Sequence, residues 1–225
     1  MKKTFFILIG ILILGILGYW GIERFYCADG VDKDSIRLNK LNNESKINNG
    51  DIIFQTSKSR QSKAIQLATN SEYSHMGIIY IIDGQSYVYE AVQPVKLTPL
   101  DEWINRGKDK HYIIKRLKNS DKILTQSTIS KMKQVGEKFK GKNYDLYFEW
   151  SDDKIYCSEL VWKIYKEGAN IEIGKLEKLS DFNLNSEIVQ QKLKERYGEN
   201  IPMDEKVISP AEMFNSDKLE VVYEN

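Results

Sequence analysis

The sequence predicts an α+β domain, its strands mostly antiparallel with helices packed on them, and three observations carry that reading. HMGIIYIIDGQSYVYEAV, residues 75–92, is two apolar runs split by Asp83-Gly84, a pair that favours a tight hairpin turn. IYCSELVWKIY, residues 155–165, sets Leu160, Val161 and Ile164 at helical spacing, with Gly168 as the expected stop. Around these two segments further strands and helices follow one another, without internal repeat or low-complexity tract.

Taken in order, the domain opens near Ile47, where NNGDIIFQ reads as a turn and a short strand. SRQSKAIQLAT then reads as a helix, with Ala64, Ile65 and Ala68 on one side. After the hairpin, Thr98-Pro99 has the cap-then-proline form of a helix start and leads into LDEWINR. HYIIKRL, residues 111–117, reads as another strand, and a helix from about Thr125 to Lys140 ends at Gly141. NYDLYFEW is aromatic and reads as extended, ahead of the Cys157 helix. The tail holds a charged amphipathic helix (SEIVQQKLKERYG), a loop around Pro202, a Ser209-Pro210 helix start and a last strand, KLEVVYE.

Ahead of the domain, FFILIGILILGILGYW (residues 5–20) is apolar throughout and follows Lys2 and Lys3. No A-x-A cleavage site comes after it, and RFYC lacks the small residues a lipoprotein processing site would place before Cys27. The expected organisation is a membrane anchor over 1–24, favoured over a removed signal segment, a polar linker over 25–46 and a folded domain over 47–225. The leading lysines put that domain on the extracytoplasmic side. Of 225 residues, 33 are Lys or Arg and 32 Asp or Glu, a net charge of +1 with no polybasic run, so no nucleic-acid partner is expected. Two cysteines and two histidines, in neither CxxC nor HExxH spacing, give no zinc site, and no cofactor is implied.

Cys157 then has three readings: a buried packing residue, half of a disulfide with Cys27, or a nucleophile. Asp152 and Asp153 precede it, so it falls in or just before the first turn of its helix, where free N–H groups and the helix dipole favour a thiolate. A cysteine nucleophile needs a base, and only two histidines compete. His111 opens a strand among lysines in KDKHYII, which suits the surface; His75 follows the polar SEYS and opens the first strand of the hairpin. If Asp83 and Gly84 form the turn, Ile82 pairs with Gln85, and parity places Glu90 on the same face as His75. It is then a diagonal neighbour about 7–8 Å away at the backbone, able to accept the ring N–H. A cross-strand polar pair on a solvated face has the same parity.

GDIIFQ, YSHMGIIY, the hairpin to YEA, NYDLYFEW, YCSELVW, ERYG, IP and VISPAEMFNSDKLE together resemble the YiiX/YaeF-like bacterial proteins. These are a circularly permuted branch of the NlpC-type, papain-like cysteine hydrolases, and the resemblance runs from about Ile47 to Val222. It implies a permuted papain-like fold, with Cys157 as nucleophile, His75 as base and Glu90 as third polar residue. The backbone N–H of Cys157 is the natural first oxyanion donor. Tyr156 and Tyr144 are secondary candidates for the cleft wall, among thirteen tyrosines. Glu159, two residues beyond the cysteine, points to another side of the helix and reads as structural. Trp150 and Trp162 read as core or rim. The implied function is extracytoplasmic hydrolysis of an amide through an acyl-enzyme, on a peptide of the cell wall. The alternatives are a lipid or thioester acyl hydrolase or acyltransferase with the same triad, and a non-catalytic membrane-tethered binding domain.

Overall fold

The structure, a computed structural model, describes residues 47–225. The expected anchor, the linker and Cys27 lie outside the described residues, and among the described residues no helix is long and apolar enough to cross a membrane. Strands β1 (Ile52–Ser57), β2 (His75–Ile82), β3 (Gln85–Glu90), β4 (Lys96–Pro99), β5 (Gly107–Leu117) and β8 (Leu219–Glu224) make one sheet. Its order is β4-β3-β2-β1-β5-β8, with every neighbouring pair antiparallel. Strands β6 (Glu177–Lys178) and β7 (Lys206–Val207) pair separately.

The β2–β3 hairpin folds in the expected register. Ile82 pairs with Gln85 and Ile78 with Tyr89 without a bulge, and Asp83 and Gly84 have φ of 50° and 79°, the left-handed pair a two-residue turn demands. Strand β2 lies between β1 and β3 and is covered on both faces, which is why HMGIIYII is apolar nearly throughout rather than alternating.

Seven helices accompany the sheet among the described residues: α1 (Ser62–Thr69), α2 (Leu100–Arg106), α3 (Ser120–Ile123), α4 (Gln126–Glu137), α5 (Cys157–Ala169), α6 (Glu187–Tyr197) and α7 (Pro210–Phe214). Helix α5 is central, packing on β2 and on α4. Leu160, Val161 and Ile164 are wholly buried, each worth about 1.5–3 kcal/mol of transfer free energy.

Four local expectations are corrected. Gly168 does not stop α5, which runs on to a left-handed Asn170. A Cβ on Gly168 would stand 2.6 Å from Met132 Cα, so the glycine lets α5 and α4 approach closely. Helix α4 ends at Glu137, short of Gly141, and begins at a Thr125 side chain that accepts from Thr128 N. Thr98 does not cap α2; it lies in β4, opposite Val88. NYDLYFEW forms no strand beyond an isolated bridge of Tyr144 with Ile155, because the buried Asp145 carboxylate accepts from Tyr147 N (2.8 Å) and Glu149 N (2.6 Å) and winds the segment into a loop.

Candidate active site

Cys157 is the first residue of α5, a free thiol 3 % exposed. The helix start supplies unpaired N–H groups, and the backbone N–H of Ser158, joined by that of Met76 from β2, faces the sulfur. His75, at the head of β2, faces the same sulfur and interacts with it electrostatically. Burial alone pushes a thiol up, but here the imidazolium and these N–H groups outweigh it and hold Cys157 below the ordinary thiol range. Burial likewise pulls an imidazole down, yet the sulfur and Glu90 together lift His75 to about 9.

The imidazole is fixed from two further directions. Its Nε2 donates to Glu90 Oε2 at 2.6 Å, which leaves Nδ1 for the sulfur. Its ring stacks on the wholly buried Trp103 of α2, centroids 5.9 Å apart and planes 24° from parallel. Glu90 ends β3 two positions from the residue opposite Ile79, so the diagonal reach expected from the hairpin is realised.

Glu90 is wholly buried, and its other oxygen, Oε1, accepts from Thr98 Oγ1 at 2.6 Å and from Arg106 Nη2. Burial raises a carboxyl, but His75, Thr98 and Arg106 overcome that and hold Glu90 below the usual range. Such a chain can keep an anion beneath an imidazolium and a thiolate above it, a proton already moved from sulfur to nitrogen.

Tyr144 and Tyr156 part company. The Tyr144 hydroxyl accepts from Gln61 Nε2 at 3.0 Å, and the residue lines the same apolar cavity as Cys157. Tyr156 also borders the cavity that Cys157 lines, but its hydroxyl accepts from Ile208 N at 3.1 Å inside the core. His111 lies at the sheet edge against Asn225 O, 3.1 Å away. Glu159 is structural: it is wholly buried, pairs with Lys163 at 2.8 Å and reaches back to Tyr156 N at 3.5 Å, so its partners are its own helix and N-cap rather than a loop. Trp150 and Trp162 pack on each other edge to face, centroids 5.4 Å apart. Thr98, Arg106, Trp103 and Gln61 carry no sequence motif; only the register of β4 and the fold bring them here.

Two cavities border Cys157 and His75. An apolar one of about 90 Å³ is lined by Cys157 with Ala64, Phe182, Leu184, Val189 and Leu193. A polar cleft of about 430 Å³ is lined by His75 with Gln55, Ser74, Gln93 and Arg106. Gln61 and Tyr144 border both.

A cysteine at a helix N-terminus facing a histidine on a sheet, in the chain order histidine then cysteine, defines a papain-like cysteine hydrolase in permuted order. The model of the permuted papain-like amidase family (YaeF/YiiX, C92) matches residues 46–223, and the chain belongs to that family. It is 48 % identical over 173 residues to the uncharacterized protein YiiX of Escherichia coli K12, covering 77 % of this chain and 84 % of that one. The crystal structure of metalloprotein yiiX from Escherichia coli O157:H7 superposes with a TM-score of 0.77 at 46 % identity, covering 80 % of this chain and 98 % of that one. The chain is therefore a cysteine peptidase or amidase-like hydrolase with a permuted papain-like α+β fold. The metal belongs to that relative's name: among the described residues no group of three or more His, Cys, Asp or Glu is arranged to hold an ion, and Nε2 of His75 is occupied by Glu90.

Proposed function

We propose that the chain hydrolyses an amide through Cys157, His75 and Glu90, on peptides of the cell wall and on the extracytoplasmic side of a membrane that residues 1–24 anchor it to. The observation that carries the chemistry is the unbroken line from Glu90 through His75 to a buried thiol at a helix N-terminus. Cys157 attacks the carbonyl carbon as a thiolate, and the C=O electron pair moves to oxygen, where the Cys157 backbone N–H and the Tyr144 hydroxyl are the proposed donors. His75 delivers its proton to the leaving nitrogen as the C–N bond breaks. Water, deprotonated by His75, then opens the thioester. Because Cys157 borders the apolar cavity and His75 the polar cleft, the acyl half belongs in the first and the leaving amine in the second.

The apolar cavity also favours a second reading, in which the acyl half is a lipid chain carried on an ester or amide. Full-length protein and its Cys157→Ala variant, incubated in parallel with muropeptides and with phospholipid vesicles, separate the two. Release of a new amino group from muropeptide, absent in Cys157→Ala, supports the amidase on wall peptides. Release of fatty acid alone would replace it by the lipid reading, and identical behaviour of the two proteins on both substrates would remove the triad.

A further inference from the structure

The Tyr144 hydroxyl has one proton, and which way it points depends on its neighbours. Gln61, at the N-cap of α1, donates from Nε2 to the Tyr144 oxygen at 3.0 Å. Its Oε1 in turn accepts from Arg196 Nη2 of α6 at 2.6 Å. A guanidinium has donors and no acceptor, so Arg196 fixes which end of the Gln61 amide faces it. The amide nitrogen must then face the tyrosine, and the tyrosine oxygen, already accepting, turns its own O–H elsewhere. Tyr144 lines the same cavity wall as Cys157, whose sulfur is the acceptor there that bears on the chemistry and whose charge acts on the tyrosine hydroxyl. Three donors thus run in one direction, from α6 through the head of α1 to the loop before α5, and reach the cavity wall that Cys157 shares.

We propose that Arg196 is a positioning residue of this site, acting through Gln61 to fix the Tyr144 hydroxyl as a donor to Cys157 and then to the substrate oxygen. The inference rests on the reading of Tyr144 as a donor at the thiol. When the S–C bond forms, sulfur loses its negative charge to the carbonyl oxygen. The hydroxyl follows that charge while keeping its proton, and the amide and guanidinium behind it stay in place. A tyrosine without this backing could accept from the thiol as readily as donate, and the oxyanion would meet a misdirected dipole part of the time. The cost of preorganisation is met by the fold, since residues 61, 144 and 196 come from the N-cap of α1, the loop before α5 and α6. The other charged or titratable groups facing the thiol or its cavity are His75 on β2, Tyr156 at the N-cap of α5 and Lys192 on α6.

The test is the pH profile of Cys157 alkylation by iodoacetamide in the full-length chain, read on the Cys157 peptide by mass spectrometry so that Cys27 does not contribute. At about pH 6, Tyr144→Phe is expected to slow labelling about 10-fold, and Arg196→Gln and Gln61→Met about 3-fold each. On the Tyr144→Phe background neither second change should slow it further. Arg196 also lies over the Phe148 ring, 4.9 Å from its centroid, so Gln61→Met decides the matter if Arg196→Gln fails to fold. Wild-type labelling rates in Gln61→Met and Arg196→Gln, with Tyr144→Phe still slow, would overturn the relay and leave the Tyr144 reading intact. Equal slowing with and without Tyr144 would also overturn it, since Arg196 would then act through space. An unaltered rate in Tyr144→Phe would remove the donor reading and the relay together.

Discussion

Glu90 and Glu159 are the same side chain, each wholly buried, yet their surroundings drive them to opposite states. Glu90 has three donors on two oxygens, two of them cationic, and stays ionised against the cost of burial. For Glu159, burial dominates and raises it to about 8, with Lys163 only partly offsetting the loss of water. That lysine is divided among Asp152 Oδ1 at 2.7 Å, Ser151 O at 2.8 Å and Glu159 at 2.8 Å. Depth alone therefore does not decide a carboxyl group's charge; the number and sharing of its donors does. One glutamate is equipped to hold an imidazolium, and the other to seal a helix start.

The largest expected contrast is in turnover. Glu90→Gln leaves His75 without an anionic acceptor, and kcat/KM on the substrate that distinguishes wild type from Cys157→Ala should fall on the order of 10²–10⁴-fold. Glu159→Gln, two residues from the thiol on another side of the helix, should stay within about threefold. Equal losses would erase the distinction between the two carboxylates.

The next effect is in labelling. With His75 lifted to about 9 and Cys157 held low, the wild-type thiol should alkylate readily from acid pH upward, with a change in rate near the His75 transition at about 9. His75→Ala should slow labelling at about pH 6 by roughly 10–100-fold and leave one late titration, since burial then acts on the thiol against the backbone N–H groups of Met76 and Ser158 alone. A profile unmoved by His75→Ala would break the pair.

Smaller still are the changes behind Glu90. Thr98→Val and Arg106→Ala each remove one of the two donors on Oε1, and each should lower kcat about 10-fold while moving the acid limb of the pH–rate profile upward. Loss of activity with the acid limb in place would mean that these residues only hold the fold.

Much of this site was legible in the sequence, for identifiable reasons. The hairpin obeys a period of two around Asp83-Gly84, so Glu90 can be placed on the His75 face by counting. The first turn of α5 is readable because Leu160, Val161 and Ile164 mark its buried side. The meeting of Cys157 with His75, far apart in sequence, is a tertiary contact that no local period encodes, and it entered through the family resemblance. Thr98 was hidden because a four-residue strand ending in proline looks like a helix start. The aromatic loop misled for a different reason: β-propensity described its side chains, but Asp145 claimed the backbone N–H groups that a strand would have used. Gly168 misled because a glycine that ends a helix and one that lets two helices touch are the same letter.

The smallest effect on activity falls on Glu159, where the comparison can be sharpened through stability. An unfolded glutamate titrates near its ordinary value of 4.5, whereas folded Glu159 titrates at about 8. Between those values the native state binds the extra proton, so this group makes stability fall as pH rises. Glu90 has the opposite sign: its folded value is lowered, so its contribution is present above the ordinary value and is lost as pH falls through the folded one. Glu159→Gln removes the first dependence and keeps the shape of the side chain. Its stability relative to wild type, measured by urea unfolding, should therefore improve by up to about 3–4 kcal/mol between about pH 5 and about pH 8. The same comparison for Glu90→Gln should show no such gain over that window, because wild-type Glu90 is ionised in both states across most of it. A relative stability of Glu159→Gln that stays flat with pH would mean that Lys163 fully compensates Glu159, and that both buried glutamates are held as anions.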